Sequence, residues 1–208
     1  MNSFQTNYPK LACTVRSLGV IIPVTLVGLT ASQLGWLLLE YYTIWGAILT
    51  GVLFALILLK NVSDNIEAVA RFLTPIVVIN NFVITVGFWC LVYPYLYNEV
   101  TVFEGFLLHG IPLILTTTEW TLNHVTGRIR HIMFSICLFS VYFLLVNMPI
   151  ALTVGEVYPN MNYKNAYTYL SIWICIMLFY FFRFGTILLK NRLMKKREKK
   201  LLDYGIEL

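Results

Sequence analysis

The sequence predicts an all-α polytopic membrane protein, a bundle of six transmembrane helices with both termini in the cytosol. Three observations carry this. Hydrophobic residues make up 59% of the 208 and charged residues 12%, against roughly 45–50% and roughly 25% in an ordinary soluble chain. A mean hydropathy of +0.75 cannot be hidden inside one small globule, because a small domain is mostly surface. The basic residues, finally, alternate by loop. A soluble enzyme, a disordered tail and a disulfide-rich secreted module are excluded. The four Cys form no CxxC or Cys/His cluster, so no metal or redox signature is present.

Each span follows from the gaps between charges, since a crossing helix needs about 20 mostly apolar residues. The first uncharged stretch lies between Arg16 and Glu40 and the second between Glu40 and Lys60. The third separates Arg71 from Glu99, and the fourth runs from Glu104 to Arg128, interrupted by Glu119 and His124. A fifth joins His131 to Glu156, and a sixth joins Lys164 to Lys190, with Arg183 near its end. Spans are therefore expected at roughly 17–39, 41–59, 72–95, 105–125, 131–154 and 166–189. Residues 1–190 form one domain and 191–208 a basic cytosolic tail. None of the stretches alternates as a membrane β-barrel strand does.

With six spans the charges sort cleanly. Lys10, Arg16, Lys60, Arg71, Arg128, Arg130 and the run from Lys190 to Lys200 fall on one face. The other carries Glu40, Glu99, Glu104, Glu156 and Lys164. Positive charge stays cytosolic, so the net +5 reflects topology and no nucleic acid is expected. Trp36, Tyr41, Tyr42 and Trp45, and Tyr93, Tyr95 and Tyr97, mark the outer rim, the depth amphipathic rings prefer. The basic tail reads as a solvated stop-transfer flank able to touch anionic lipid. No cleavable signal peptide is evident. The sequon at Asn61 falls on the cytosolic side and is expected to be unused. Cys90, Cys137 and Cys175 read as small packing residues. Cys13, beside the membrane, is a free thiol or an acylation site.

Ionisable groups within a span are costly and are functional candidates by default. Here they are His109, Glu119 and His124, with Thr43, Thr116 to Thr118, Asn80 and Asn81 as further polar groups. Helices 2 and 4 both start at the outer face, which puts Thr43 and His109 at similar depth. If the helices are neighbours, the hydroxyl has the base it needs to act as a nucleophile, and imidazole suits that proton transfer. Thr43 could equally bond its own backbone, and His109 could be an interfacial structural group. Glu119 lies about 15 Å deeper and roughly 80° around the helix. It is paired or protonated, and either serves the inner end of a cavity or locks helix 4 to its neighbours. His124 reads as solvated.

Several motifs point further. The run Glu40-Tyr41-Tyr42-Thr43-Ile44-Trp45-Gly46, the stretch Phe88-Trp89-Cys90-Leu91-Val92-Tyr93, the spacing of His109, Glu119 and His124, and the turn Gly155-Glu156-Val157-Tyr158-Pro159 occur in this order. Together they resemble the androgen-induced and androgen-dependent TFPI-regulating family of intramembrane threonine hydrolases, over most of the chain. The resemblance implies hydrolysis of fatty acid esters of hydroxy fatty acids, with Thr43 as nucleophile and His109 as its base. One departure is visible: Phe106 stands where family members carry a second His.

The expected enzyme is a threonine-dependent lipid ester hydrolase that takes its substrate sideways from the outer leaflet. It needs no cofactor and no metal, and its partners are the lipid ester and membrane lipid. Tyr41, Tyr42 or free amides at the start of helix 2 would hold the oxyanion. Glu119, Trp45 and Trp89 are supporting candidates for the site. The expected location is the endoplasmic reticulum or plasma membrane. A non-enzymatic multi-pass scaffold or partner subunit is the main alternative. A proton-linked carrier built on Glu119 and His109 lacks an inverted repeat.

Overall fold

The computed structural model describes residues 8–35, 41–96, 100–153 and 166–203, together with Phe4, Thr6 and Leu39. Trp36, Glu40, Tyr97, Glu99, Glu156, Lys164 and the Gly155 to Pro159 motif lie outside the described residues.

All regular structure among the described residues is helical. Helix α1 is Pro9–Leu34, α2 is Tyr42–Leu58 and α3 is Asp64–Gly87. A π turn, Phe88–Val92, continues α3 into the short α4, Tyr93–Leu96. Helix α5, Val102–Gly105, runs through the π turn Phe106–Gly110 into α6, Ile111–Leu122. Helix α7, Ile129–Tyr142, runs through the π turn Phe143–Asn147 into α8, Met148–Thr153. Helix α9 is Ala166–Asp203. These segments join into six rods, as the charge gaps predict.

The stretches Pro9–Leu34, Asp64–Cys90 and Ile129–Ile150 are long and apolar enough to cross a membrane, and α2 is a shorter apolar helix. Their outward faces carry bare apolar side chains: Leu29, Leu145 and Phe181 are all more than half exposed. Water would not tolerate that much contiguous apolar surface, and lipid accepts it.

The rod built on α3 is central and packs against α2, α6, α7 and α9. Small residues allow the close approaches. A Cβ at Gly46 would overlap Ile84, and one at Gly19 would overlap Phe54. One apolar core lies where α3, α7 and α9 meet, around Ile79, Phe139 and Tyr180. A second lies between α1, α2 and α3, around Leu53, Phe54 and Val77.

Two boundaries differ from the sequence expectation. Arg16 is not a flank of the first helix. Pro9 starts α1 a full two turns earlier, at the N-terminal position where its missing N–H costs nothing. Arg16 is then buried at 9% exposure because Glu119 neutralises it. At the other end, α9 continues unbroken through the lysine run, so much of the basic tail extends the sixth rod. Cys90 and Cys137 are also not packing residues: both are exposed, as is Cys13. A small apolar thiol fits a lipid-facing surface as well as a core.

Candidate active site

Two helices hold the site in register, and a third ties them. Thr43 is in the first turn of α2, and His109 is in the π turn before α6. Two turns further along each helix stand Thr50 and Thr116, both seven residues on. Asn81 of α3, 2% exposed, lies between them. Its amide donates to Thr50 Oγ1 at 2.8 Å, and to Pro112 O and Thr116 Oγ1 at 3.4 Å each. Each threonine donates in turn to its own helix, Thr50 to Gly46 O and Thr116 to Pro112 O, both at 2.7 Å. The clamp therefore aligns two helices at equal offsets, which sets Thr43 opposite His109.

The result is a Thr43 Oγ1 to His109 Nδ1 separation of 3.3 Å. With the imidazole proton on Nε2, Nδ1 accepts and the hydroxyl donates. This is slightly long for a working nucleophile–base pair, a common feature of sites without substrate.

The imidazole is fixed from two sides. Phe88 stacks on it, with ring centroids 3.6 Å apart and planes 9° from parallel. The backbone of His109 is held by Thr85, whose hydroxyl is shared between the carbonyls of His109 and Asn81. The bond to His109 O crosses from α3 to a carbonyl displaced by the π turn. A stray turn of this kind frees a carbonyl, and π turns recur at functional sites. All three π turns described here reach the same cavity, through Phe88, His109 and Asn147.

That cavity has a volume of ≈90 Å³ and is bounded by Thr43, His109 and mostly apolar side chains, including Val83, Phe139 and Phe143. No carboxylate among the described residues lines it. Among the described residues the imidazole thus has no third, acidic partner of the kind that orients the base in a Ser-His-Asp triad. Stacking on Phe88 takes over that orienting work.

The other predicted residues divide. Tyr42 lines the cavity, but its hydroxyl donates to Asn80 Oδ1 at 3.3 Å and points down the bundle, so it does not face Thr43 Oγ1 as an oxyanion donor. Tyr41 is the N-cap of α2. The first amides of α2, Thr43's among them, have no acceptor within the helix and carry the positive end of its dipole. Trp45 and Trp89 stand one layer behind the cavity. Trp45 packs edge-on to Tyr142 and donates to Leu39 O, while Trp89 packs on Phe88 and Tyr93.

Glu119 belongs to a different assembly. Arg16 donates to it twice, Nη2 to Oε1 at 2.8 Å and Nε to Oε2 at 3.0 Å, and Asn123 adds a bond at 3.4 Å. Arg16 also donates to Phe4 O at 2.9 Å. Of the two roles open to Glu119, the structure shows the lock, joining α6 to α1. His124 is half-buried at the end of the bundle remote from Thr43. Thr117 and Thr118 take no part in the Asn81 clamp.

Thr85, Phe88 and Asn147 were not singled out by the sequence. One signal was available: Thr43 and Thr50 share the seven-residue interval of His109 and Thr116. The chain matches no protein-family model, no curated protein and no solved structure.

Proposed function

We propose that this protein is an intramembrane hydrolase of lipid esters, acting on fatty acid esters of hydroxy fatty acids with Thr43 as nucleophile and His109 as base. The observation that carries the reading is the 3.3 Å contact between Thr43 Oγ1 and His109 Nδ1 inside an apolar cavity. A hydroxyl becomes nucleophilic only beside a base, and an apolar surround selects a lipid. The resemblance of the motifs around both residues to the threonine hydrolases supports the same substrate class.

The reaction runs in two halves. Thr43 Oγ1 bonds to the ester carbonyl carbon as its proton passes to His109 Nδ1. The tetrahedral intermediate expels the hydroxy fatty acid, whose oxygen takes that proton back. Water then attacks the acyl-threonine and yields its proton to Nδ1. Thr43 Oγ1 leaves with that proton, and the free fatty acid departs. In this reading the Tyr42 and Thr43 amides, which open α2, hold the oxyanion. A cavity of ≈90 Å³ takes the ester and a few methylenes, so longer chains lie along lipid-facing helix surface. In the membrane all six rods span, both termini and the basic ends of the rods face the cytosol, and the site opens toward the outer leaflet. The endoplasmic reticulum or the plasma membrane is the setting.

The test is hydrolysis of a lipid ester panel by purified wild type, Thr43→Ala and His109→Ala, beside a fluorophosphonate probe. Turnover and labelling are expected in the wild type and lost in folded Thr43→Ala. His109→Ala should fall by on the order of 100- to 10,000-fold, the usual range for a general base. A well-folded wild type with neither turnover nor labelling would sink the enzyme and leave a non-enzymatic scaffold.

A further inference from the structure

The end of the bundle remote from Thr43 holds a second cavity, of ≈360 Å³, between the early turns of α3 and the start of α7. Its walls carry Arg71, Phe72, His124, Arg128, Arg130 and His131, and no carboxylate among the described residues lines it. Among the acids of this end, Glu119 is held by Arg16, and Asp64 and Glu67, in the first turn of α3, lie outside the lining.

These groups are prearranged rather than merely gathered. His131 is 3% exposed. Its ring Nδ1 accepts the Arg128 backbone N–H at 2.8 Å, while the His131 backbone N–H donates to Arg128 O at 3.0 Å. A neutral ring so bonded keeps its proton on Nε2, where it is a donor. Phe72 meets the ring edge-on at 5.3 Å and carries the Arg130 guanidinium 5.9 Å above its own face. The first turn of α7 lies here too, adding amides without intrahelical acceptors and the positive end of a dipole.

We infer that this cavity binds a phosphate monoester. Guanidinium forks match phosphate oxygens in pairs, and several forks converging with an imidazole donor suit a group with three acceptor oxygens. A fatty carboxylate has only two and would leave most of these donors unmatched. Basic pockets between membrane helices take phosphorylated headgroups in this manner. The phosphate is carried by a phosphoinositide headgroup in the adjoining leaflet or by a soluble phosphate compound.

The test uses the purified full chain in detergent and reads binding, so it is independent of hydrolysis. Four probes are compared by thermal shift and titration: short-chain phosphatidylinositol 4-phosphate, unphosphorylated phosphatidylinositol, inositol 1,4-bisphosphate and inorganic phosphate. Saturable binding of the phosphorylated lipid, at least tenfold tighter than phosphatidylinositol, is expected. The pair Arg128→Gln and Arg130→Gln should weaken it at least tenfold. The pair Lys195→Gln and Lys196→Gln, equal in charge but outside the cavity, should leave it within twofold. Arg130→Lys keeps the charge and loses the fork, and should fall between. Arg128 and Arg130 are exposed, and an unchanged midpoint without ligand will show that their variants fold. Binding of inositol 1,4-bisphosphate or phosphate as tightly as the lipid assigns a soluble compound; binding of the lipid alone assigns the headgroup. Equal binding of phosphatidylinositol, equal weakening by the Lys195 and Lys196 pair, or no binding at all overturns the site.

Discussion

Phe88 is the residue on which the geometry of His109 most depends. Its ring lies flat against the imidazole, and among the described residues no carboxylate lines the cavity to orient that ring by hydrogen bonding. Replacing it by Leu keeps most of the buried apolar volume and removes the flat surface. Misplacing a catalytic group by about 1 Å costs up to about 100-fold in rate. Phe88→Leu should therefore lower kcat by about 10- to 100-fold, with KM within a factor of about two and a stability loss under about 1.5 kcal/mol. Kinetics on a lipid ester, run beside thermal unfolding, check both halves. A fall in KM affinity with kcat intact would show that Phe88 shapes substrate binding instead. Thr43 and His109 were legible in the sequence because topology alone equates their depth. Phe88 was legible only as part of a motif, since ring stacking between helices 3 and 4 has no signature along either one.

At the scale of the element, α6 is joined to its neighbours at both ends by different chemistry. At its far end the Arg16–Glu119 pair is buried and bidentate. Removing one partner strands the other charge at a cost of about 3–5 kcal/mol, whereas replacing both with apolar side chains is often neutral. Arg16→Met alone should thus destabilise strongly, and Arg16→Met combined with Glu119→Leu should recover most of the loss. Unfolding midpoints of the two single variants and the double variant, in detergent, measure the coupling. The start of this rod is set by a capping box: Thr101 Oγ1 accepts the Glu104 N–H at 3.2 Å, and Glu104 Oε2 accepts the Thr101 N–H at 2.9 Å. The Thr101 backbone N–H, then its hydroxyl, hold the Glu104 carboxyl below its ordinary value. A lowered folded-state pKa contributes stability that is present above the unfolded value near 4.5 and lost as pH falls through the folded one. Amide exchange at Glu104 and Gly105 should accelerate, beyond the intrinsic pH trend, below about pH 4.5. Thr101→Ala should abolish that acid dependence; its persistence would show another group titrating.

At the scale of the molecule, the bundle's two ends differ in character. One holds Thr43, His109 and three π turns; the other holds the paired and clustered cations. The proposed orientation rests on that asymmetry. In sealed vesicles with a Cys13→Ser background, Val100→Cys and Lys195→Cys should be labelled by an impermeant maleimide from opposite sides, Lys195→Cys from the cytosolic side. Labelling from one side would break the six-span topology.

The six rods, their all-helical character and the basic bias of one end were set by the sequence itself, because apolar length and charge placement are one-dimensional properties that a bilayer reads directly. Arg16 shows the limit of that logic. A charge marks a span boundary only while it stays solvated, and a partner 103 residues away moved this one inside a helix. The phase of each helix was likewise beyond the sequence. A π turn adds one residue to a turn and rotates everything past it, and whether it forms depends on cross-helix bonds such as that from Thr85 to His109 O. The 3.3 Å contact between Thr43 and His109 rests on that rotation and on Asn81 clamping three helices. These are tertiary facts, because each requires side chains from separate rods to meet before any of them has a defined position.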